Sequence, residues 1–539
     1  MNGIELIKQS FALKKVERVP WVPFVGCHGG KLIGVNATEY LKSADLIVKG
    51  ISMAINLYNP DGIPVLFDLQ VEAEALGCRL IWSDDNPPAV VSHVLLDGKN
   101  LSDLSVPAAT DGRIGIAMDA ATKLKKEFPD VALYGLITGP YTLALHLLGT
   151  DIFMKMLESP EEIIALLEFT KEVGKAMAGY YINAGCDIIA VVDPMTSQID
   201  PGSFEMFVHR PAKEIFDFIR SKGKLSSFFV CGHAQQNIEA MCATHPDNIS
   251  IDENIPLDFV RDIALKNNIS FGGNLRLTVV LLMGTPDDVR REAMECIDMG
   301  GKEGFILAPG CDLPIDTPRE NILAITELVH DEYLQKVERA KEKSETELAL
   351  LNMKDYGRVN KVIVDIITLD SESCAPCQYM VEAVKRVAPH FEGIVEWREH
   401  AIKKMEAVTF MNSLLVKNIP TICIDGKIAF VSKIPPQQEL IAAIQERINE
   451  KLKLIISSRK AELLILGKTE EECRIAREGV ELAMKETGKH IQLKTSTDSA
   501  LRAGYGIINT PAIIITEHKL KSQGETPHVD IIKEWLKDI

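Results

Sequence analysis

Between residues 20 and 310 the chain alternates eight short apolar runs with longer amphipathic stretches, and each run ends on glycine or a polar residue. The runs are 21–24, 64–67, 133–137, 188–192, 227–230, 249–251, 269–271 and 305–307. A strand that is apolar on both faces must be covered on both faces, so eight such runs separated by helical patterns fit a closed parallel (β/α)8 barrel. An open doubly wound sheet is the alternative. Segment 79–95, with an Asn86-Pro87-Pro88 turn between two β-prone pieces, reads as an inserted hairpin.

After Thr317-Pro318 comes a helical pattern, and then 331–354 is dense in Glu and Lys, as in a solvated helical linker. From Lys361 the period changes. A strand over 362–367 is followed by Cys374-Ala375-Pro376-Cys377 at the head of a helix, then by Asn418-Ile419-Pro420-Thr421 before Ile422-Cys423-Ile424. An Asp425-Gly426 turn and a helix over 437–448 close the unit. A fainter copy starts at Leu463-Leu464-Ile465, carries Glu470-Glu471-Glu472-Cys473 at a helix head, and reaches Asn509-Thr510-Pro511 before 512–515. The chain therefore contains an internal repeat.

Lys and Arg number 59 against 76 Asp and Glu, a net charge of −17. With no basic block, such a chain lacks the electrostatic footprint of a nucleic-acid or anionic-membrane partner. No run approaches the ~18 apolar residues of a membrane span, and the N-terminus has no signal-peptide core. The 11 cysteines are scattered and odd in number, which points to a reducing compartment, the cytoplasm, where cysteine serves packing, metal or redox chemistry.

In a barrel the strands' C-terminal ends gather around one pocket. Following the runs, those ends supply Cys27 and His28, Asp68, Thr138 with Tyr141, Asp193, Cys231 with His233, Asp252 and Glu253, Asn274, and Cys311. Thiolate plus imidazole is the donor set zinc prefers. Cys78, Cys186, Cys242 and Cys296 are assigned to packing. In the repeat, a C-x-x-C that follows a strand and opens a helix is the setting of a dithiol redox site. A helix N-terminus favours a thiolate, which makes Cys374 the attacking and Cys377 the resolving thiol.

These residues carry a resemblance over roughly the first 340 positions. The matching pieces are Arg18-Val19-Pro20 with Gly29-Gly30-Lys31-Leu32, Phe67-Asp68-Leu69 with 71–77, Gly139-Pro140-Tyr141-Thr142, Gly273-Asn274-Leu275, and Leu307-Ala308-Pro309-Gly310-Cys311 followed by Thr317-Pro318. This part resembles the uroporphyrinogen decarboxylase superfamily, and within it the corrinoid-linked methyltransferases that pass a methyl group from methylcobalamin to a thiol such as coenzyme M. The decarboxylases carry an arginine-rich loop after the first strand; here 25–30 has no arginine. The methyltransferases bind zinc with a His-x-Cys motif and a distant Cys. The resemblance thus implies zinc on Cys231 and Cys311, but Phe229 stands in the histidine's place, leaving the third donor open among His233, His28 and Asp193. It also implies Asp68 as a pocket acid, Tyr141 as an orienting catalytic group, and Asp193 and Asn274 as cofactor-side residues. No Asp-x-His-x-x-Gly cobalamin motif is found, so the corrinoid is expected on a separate protein.

Segments 361–452 and 460–539 resemble the thioredoxin and glutaredoxin superfamily. Pro420 resembles the cis-proline that faces the dithiol, and Pro511 is its counterpart in the second copy. There Glu470 stands in the nucleophile's position and leaves Cys473 alone, as in a docking or stabilising module; a mixed disulfide with a partner is the alternative. The expected organisation is a TIM barrel over 1–340, a charged helical linker over 341–358, and two thioredoxin-like α/β domains over 359–453 and 454–539. The expected function is methyl transfer from a corrinoid protein to a zinc-activated small thiol, with a tethered dithiol served by a thioredoxin reductase-type donor. The alternatives are a thiol-disulfide oxidoreductase with the barrel as a binding platform, and a decarboxylase-type lyase.

Overall fold

The computed structural model describes residues 1–341, 351, 353, 356, 361–372, 374–457, 462–515, 519–522 and 526–537. Seven strands form one parallel sheet in the order Gly62–Pro64, Ala132–Thr138, Ile188–Val192, Leu225–Val230, Asn248–Ile251, Ser270–Leu275 and Phe305–Pro309. Spatial order equals chain order, with helices between, as a (β/α) barrel demands. The strands Ala132–Thr138 and Ile188–Val192 are buried at every position, which is why they read as unbroken apolar runs.

The eighth run, 21–24, is a single bridge and not a strand. Trp21 pairs in parallel with Leu307. Val22 N–H donates to the Leu307 carbonyl at 3.0 Å, and Asp61 N–H donates to the Trp21 carbonyl at 2.9 Å, so this segment links the two edges of the sheet and closes the barrel. Pro20 and Pro23 flank it without backbone N–H groups, and a ladder cannot extend through them. Arg18 and the Trp21 N–H both bond the buried Asp61 carboxylate, at 2.6 and 2.8 Å, which pins the segment in place. The hairpin over 79–95 is present as two short antiparallel strands, Leu80–Ile81 and Ala89–Val90.

Helices Arg319–His330 and Glu332–Ala340 follow the barrel; the linker expected over 341–358 falls mostly outside the described residues. The repeat is real. In the first copy the sheet order is Val395–Ala401, Val362–Thr368, Thr421–Ile424, Lys427–Val431, with the first pair parallel and the others antiparallel. The second copy has the same order and directions over Gln492–Ser496, Glu462–Leu466, Ala512–Ile515 and Lys519–Ser522. In both, an X-Pro bond before the third strand is cis, at Ile419–Pro420 and Thr510–Pro511. Among the described residues no helix is long and apolar enough to cross a membrane.

Candidate functional site

An open cavity of about 1260 Å³ lies at the C-terminal ends of the barrel strands, and the first thioredoxin-like domain forms its other wall. Barrel residues Cys27, Asp68, Cys231 and Cys311 face Cys374, Cys377 and Pro420 across it.

That domain is docked, and the contacts that hold it are specific. Tyr379, on the helix Ala375–Val387, is fully buried in the barrel's apolar cluster. It stacks on His93 with ring centroids 6.2 Å apart, and its hydroxyl lies 3.4 Å from His146 Nδ1. Gln378 donates to the Val90 carbonyl of the inserted hairpin at 2.8 Å. Gln198 spans the other side, donating to Ser432 O and accepting from Ile434 N–H, both at 3.0 Å. Arg386 donates to Thr150 Oγ1 at 2.9 Å.

Cys231 leaves the end of Leu225–Val230 and Cys311 the end of Phe305–Pro309, and the Cys231 thiol donates to Cys311 Sγ at 3.2 Å. That hydrogen bond and burial raise the Cys231 thiol well above its ordinary value. Cys374 is the N-cap of its helix, as the motif implies. Its thiol is nevertheless pushed up, by the hydrogen bond with Cys377 and by burial, so the helix N-terminus does not decide its protonation. Burial, with Asp312 and Asp68 nearby, raises Cys27 as well.

Carboxyls crowd the same space. Asp68 is ion-paired with Arg113, which also donates to Glu74 at 2.6 Å, so the cavity's acid is held by an arginine from the helix Gly112–Glu127. Burial pushes Asp252 up to about 6 and Glu253 up to about 8, and it raises Asp312 strongly. Glu253 Oε2 and Asp312 Oδ1 are buried without a hydrogen-bond partner. Two glycines make room for them, since a Cβ at Gly310 would collide with Glu253 Oε2 and one at Gly26 with the Asp312 carboxylate.

Other sequence candidates lie elsewhere. Tyr141 is buried with its hydroxyl on Met156 Sδ at 3.2 Å. Asp193, pushed up to about 6 by burial, caps the helix Pro140–Leu148 through the Tyr141 and Thr142 N–H groups at 3.1 and 2.8 Å. Asn274 ties a loop by donating to Ile255 O at 2.9 Å. None of the three lines the cavity. Cys473 is buried beside Gly467, outside the cavity, and burial raises its thiol. Arg113 and Asp312 went unnoticed in the sequence because neither ends an apolar run, whereas Glu253 was legible with Asp252 at the end of 249–251.

The donor set does not fit a zinc ion. Two thiolates at ~2.3 Å from a tetrahedral metal stand about 3.8 Å apart, and here the sulfurs are at 3.2 Å. His28 engages Tyr58 OH at 2.8 Å and Ile315 O at 3.2 Å, and burial lowers its pKa. His233 lies outside the cavity lining. Phe229, in the place of the third donor, packs in the barrel interior against Phe24 and Phe67. Among the described residues no three of His, Cys, Asp and Glu are grouped to hold a metal.

A family model described as uroporphyrinogen decarboxylase (URO-D) matches residues 3–332. The chain belongs to the uroporphyrinogen decarboxylase family. A thioredoxin domain model matches residues 461–537. Among curated members of the family, a methylcobamide:CoM methyltransferase of Methanosarcina acetivorans is 28% identical over 271 residues, 50% of this chain and 78% of the relative. One from Methanosarcina barkeri is 28% identical over 311 residues, 56% and 88% of the two chains. A uroporphyrinogen decarboxylase of Wolbachia is 25% identical over 300 residues, 54% and 83%. A solved structure of a methyltransferase from Methanosarcina mazei shares the fold, with a TM-score of 0.57 at 23% identity, covering 62% of this chain and 99% of that one.

Proposed function

We propose that the protein transfers a methyl group from a methylcobalamin donor, carried by a separate corrinoid protein, to a small thiol bound in the shared cavity. The observation that carries this reading is the match of the barrel to methylcobamide:CoM methyltransferases over most of their length. The cavity lies at the strand ends, where barrel enzymes keep their chemistry.

With no fitting metal site, thiol activation falls to the chain's own groups. Glu253 is suited to it: its carboxyl, at about 8, lies close to an ordinary thiol, and one oxygen is without a hydrogen-bond partner beside Gly310. Proton transfer between groups of similar pKa is efficient. The acceptor thiol gives its proton to Glu253, and the thiolate attacks the methyl carbon while cobalt keeps the bonding pair. The carboxyls Asp252, Glu253 and Asp312 line the cavity, while the cations around it are already paired, Arg113 with Asp68 and Glu74, Arg276 with Glu292 and Lys403 with Asp370. A neutral thiol therefore meets less electrostatic opposition than a sulfonate. The docked dithiol, fed by a thioredoxin reductase-type donor, keeps cavity thiols reduced.

The test is anaerobic demethylation of methylcobalamin with thioether formation, comparing 2-mercaptoethanol with coenzyme M. Glu253→Gln is expected to lower kcat at least ten-fold with little change in KM. In the parent, activity should fall as pH drops below about 8, because Glu253 then becomes protonated; Asp252 and Glu292, which face it, add to the upward push. No thioether from the reduced parent with either thiol would refute the reading.

A further inference from the structure

We propose that Cys231 and Cys311 form a second redox pair, which exchanges its disulfide with the Cys374/Cys377 dithiol across the shared cavity. This goes beyond the methyltransferase reading and stands without it. The two barrel sulfurs are in contact at 3.2 Å, closer than a tetrahedral metal would hold them and longer than the ~2.05 Å bond they would form on oxidation. Both cysteines are free thiols here. They face a C-x-x-C pair and its adjoining Pro420 on the opposite wall of the same cavity. The thiol groups are near enough that a charge on Cys374 bears on Cys231, and one on Cys311 bears on Cys374. The wall that carries the dithiol is fixed by Tyr379, Gln378 and Gln198, so the encounter is intramolecular and needs no diffusing partner.

The step balances within the chain. Cys374, as its thiolate, attacks one sulfur of the Cys231–Cys311 bond, and the other leaves and takes up the proton that Cys374 lost. A mixed disulfide now joins the barrel to the thioredoxin-like domain. Cys377, as its thiolate, attacks Cys374 Sγ, which forms the Cys374–Cys377 bond and releases the second barrel sulfur as a thiol. Two electrons and two protons have passed from the Cys374/Cys377 pair to the Cys231/Cys311 pair. The oxidant that makes the barrel disulfide is a low-molecular-weight disulfide, and the reductant that resets Cys374/Cys377 is an external dithiol.

The experiment reads disulfides, so it is independent of any methyl transfer. The full chain is reduced, exposed to oxidised glutathione, quenched with alkylating agent and mapped by peptide mass spectrometry. Cys377→Ser is expected to accumulate a peptide joining Cys374 to Cys311 or Cys231, and Cys374→Ser to accumulate the Cys231–Cys311 disulfide. As a second measurement, free of the buried Cys377 substitution, dithiothreitol should reduce that barrel disulfide at least ten-fold more slowly in Cys374→Ser than in the parent. No cross-linked peptide in a folded Cys377→Ser chain, equal reduction rates, or one tightly held zinc per chain that is lost on Cys231→Ser would each overturn the proposal.

Discussion

At the scale of single residues, the cavity is built from groups whose burial costs free energy. Asp68 and Arg113 show how one of them is stabilised: the side chains are 0% and 6% exposed and form a direct ion pair. Removing one partner of a buried pair leaves the other charged without compensation, which costs ~3–5 kcal/mol, whereas an apolar replacement of both is far milder. Arg113→Met should therefore lower barrel stability by about that amount, read as an earlier barrel transition in urea. Arg113→Met with Asp68→Leu should recover much of the loss. Equal destabilisation in the single and double variants would mean that the pair's charges do not interact as the geometry implies. Glu253 and Asp312 solve the same problem differently, by holding protons up to higher pH than an exposed carboxyl.

At the scale of elements, the helix Ala375–Val387 does two jobs: its first turn carries the dithiol and its next residues anchor the domain. Tyr379 is its anchor, 0% exposed between His93 and His146. Truncating a buried aromatic to alanine costs ~3–5 kcal/mol, and here the loss falls on docking. Tyr379→Ala should speed alkylation of Cys374 several-fold while both sheets keep their hydrogen-exchange protection; an unchanged alkylation rate would show that other contacts suffice. The same helix marks how far the sequence could be read. Its C-x-x-C spacing and the strand before it are local, so dithiol and fold were legible, as were seven of the barrel strands from their apolar runs. Segment 21–24 misled because its composition is that of a strand while Pro20 and Pro23 forbid the ladder. Cys231 and Cys311 were legible as strand-end residues. That Cys374 faces them was not, because docking depends on Tyr379 meeting two histidines 233 and more residues away in sequence. His28 and Asp193 had the right chemistry at the right strand ends, but their side chains are committed to Tyr58 and to the Thr142 cap.

At the scale of the whole molecule, the two proposed activities would share one face. The barrel opens only where its strands end, and the docked domain covers that end with Cys374, Cys377 and Pro420. On the proposed reading a corrinoid carried on another protein brings its methyl group to the same cavity, one wall of which is the docked domain. The expectation is that methyl transfer would proceed with the thioredoxin-like domain released from these contacts, and thiol exchange with it docked. In that scheme the docked state would restore thiols and the undocked state would use them. A covalent lock separates these states. In Cys377→Ser the mixed disulfide between Cys374 and the barrel pair holds the domain down, so the locked protein should lose methyl transfer at least ten-fold and regain it on adding dithiothreitol. The parent, oxidised and re-reduced in parallel, controls for loss of a needed thiol, since it has no bond between domains. A locked chain that still demethylated methylcobalamin at the parent's rate would mean that the donor reaches the cavity without passing the docked domain, and the competition between the two activities would not exist.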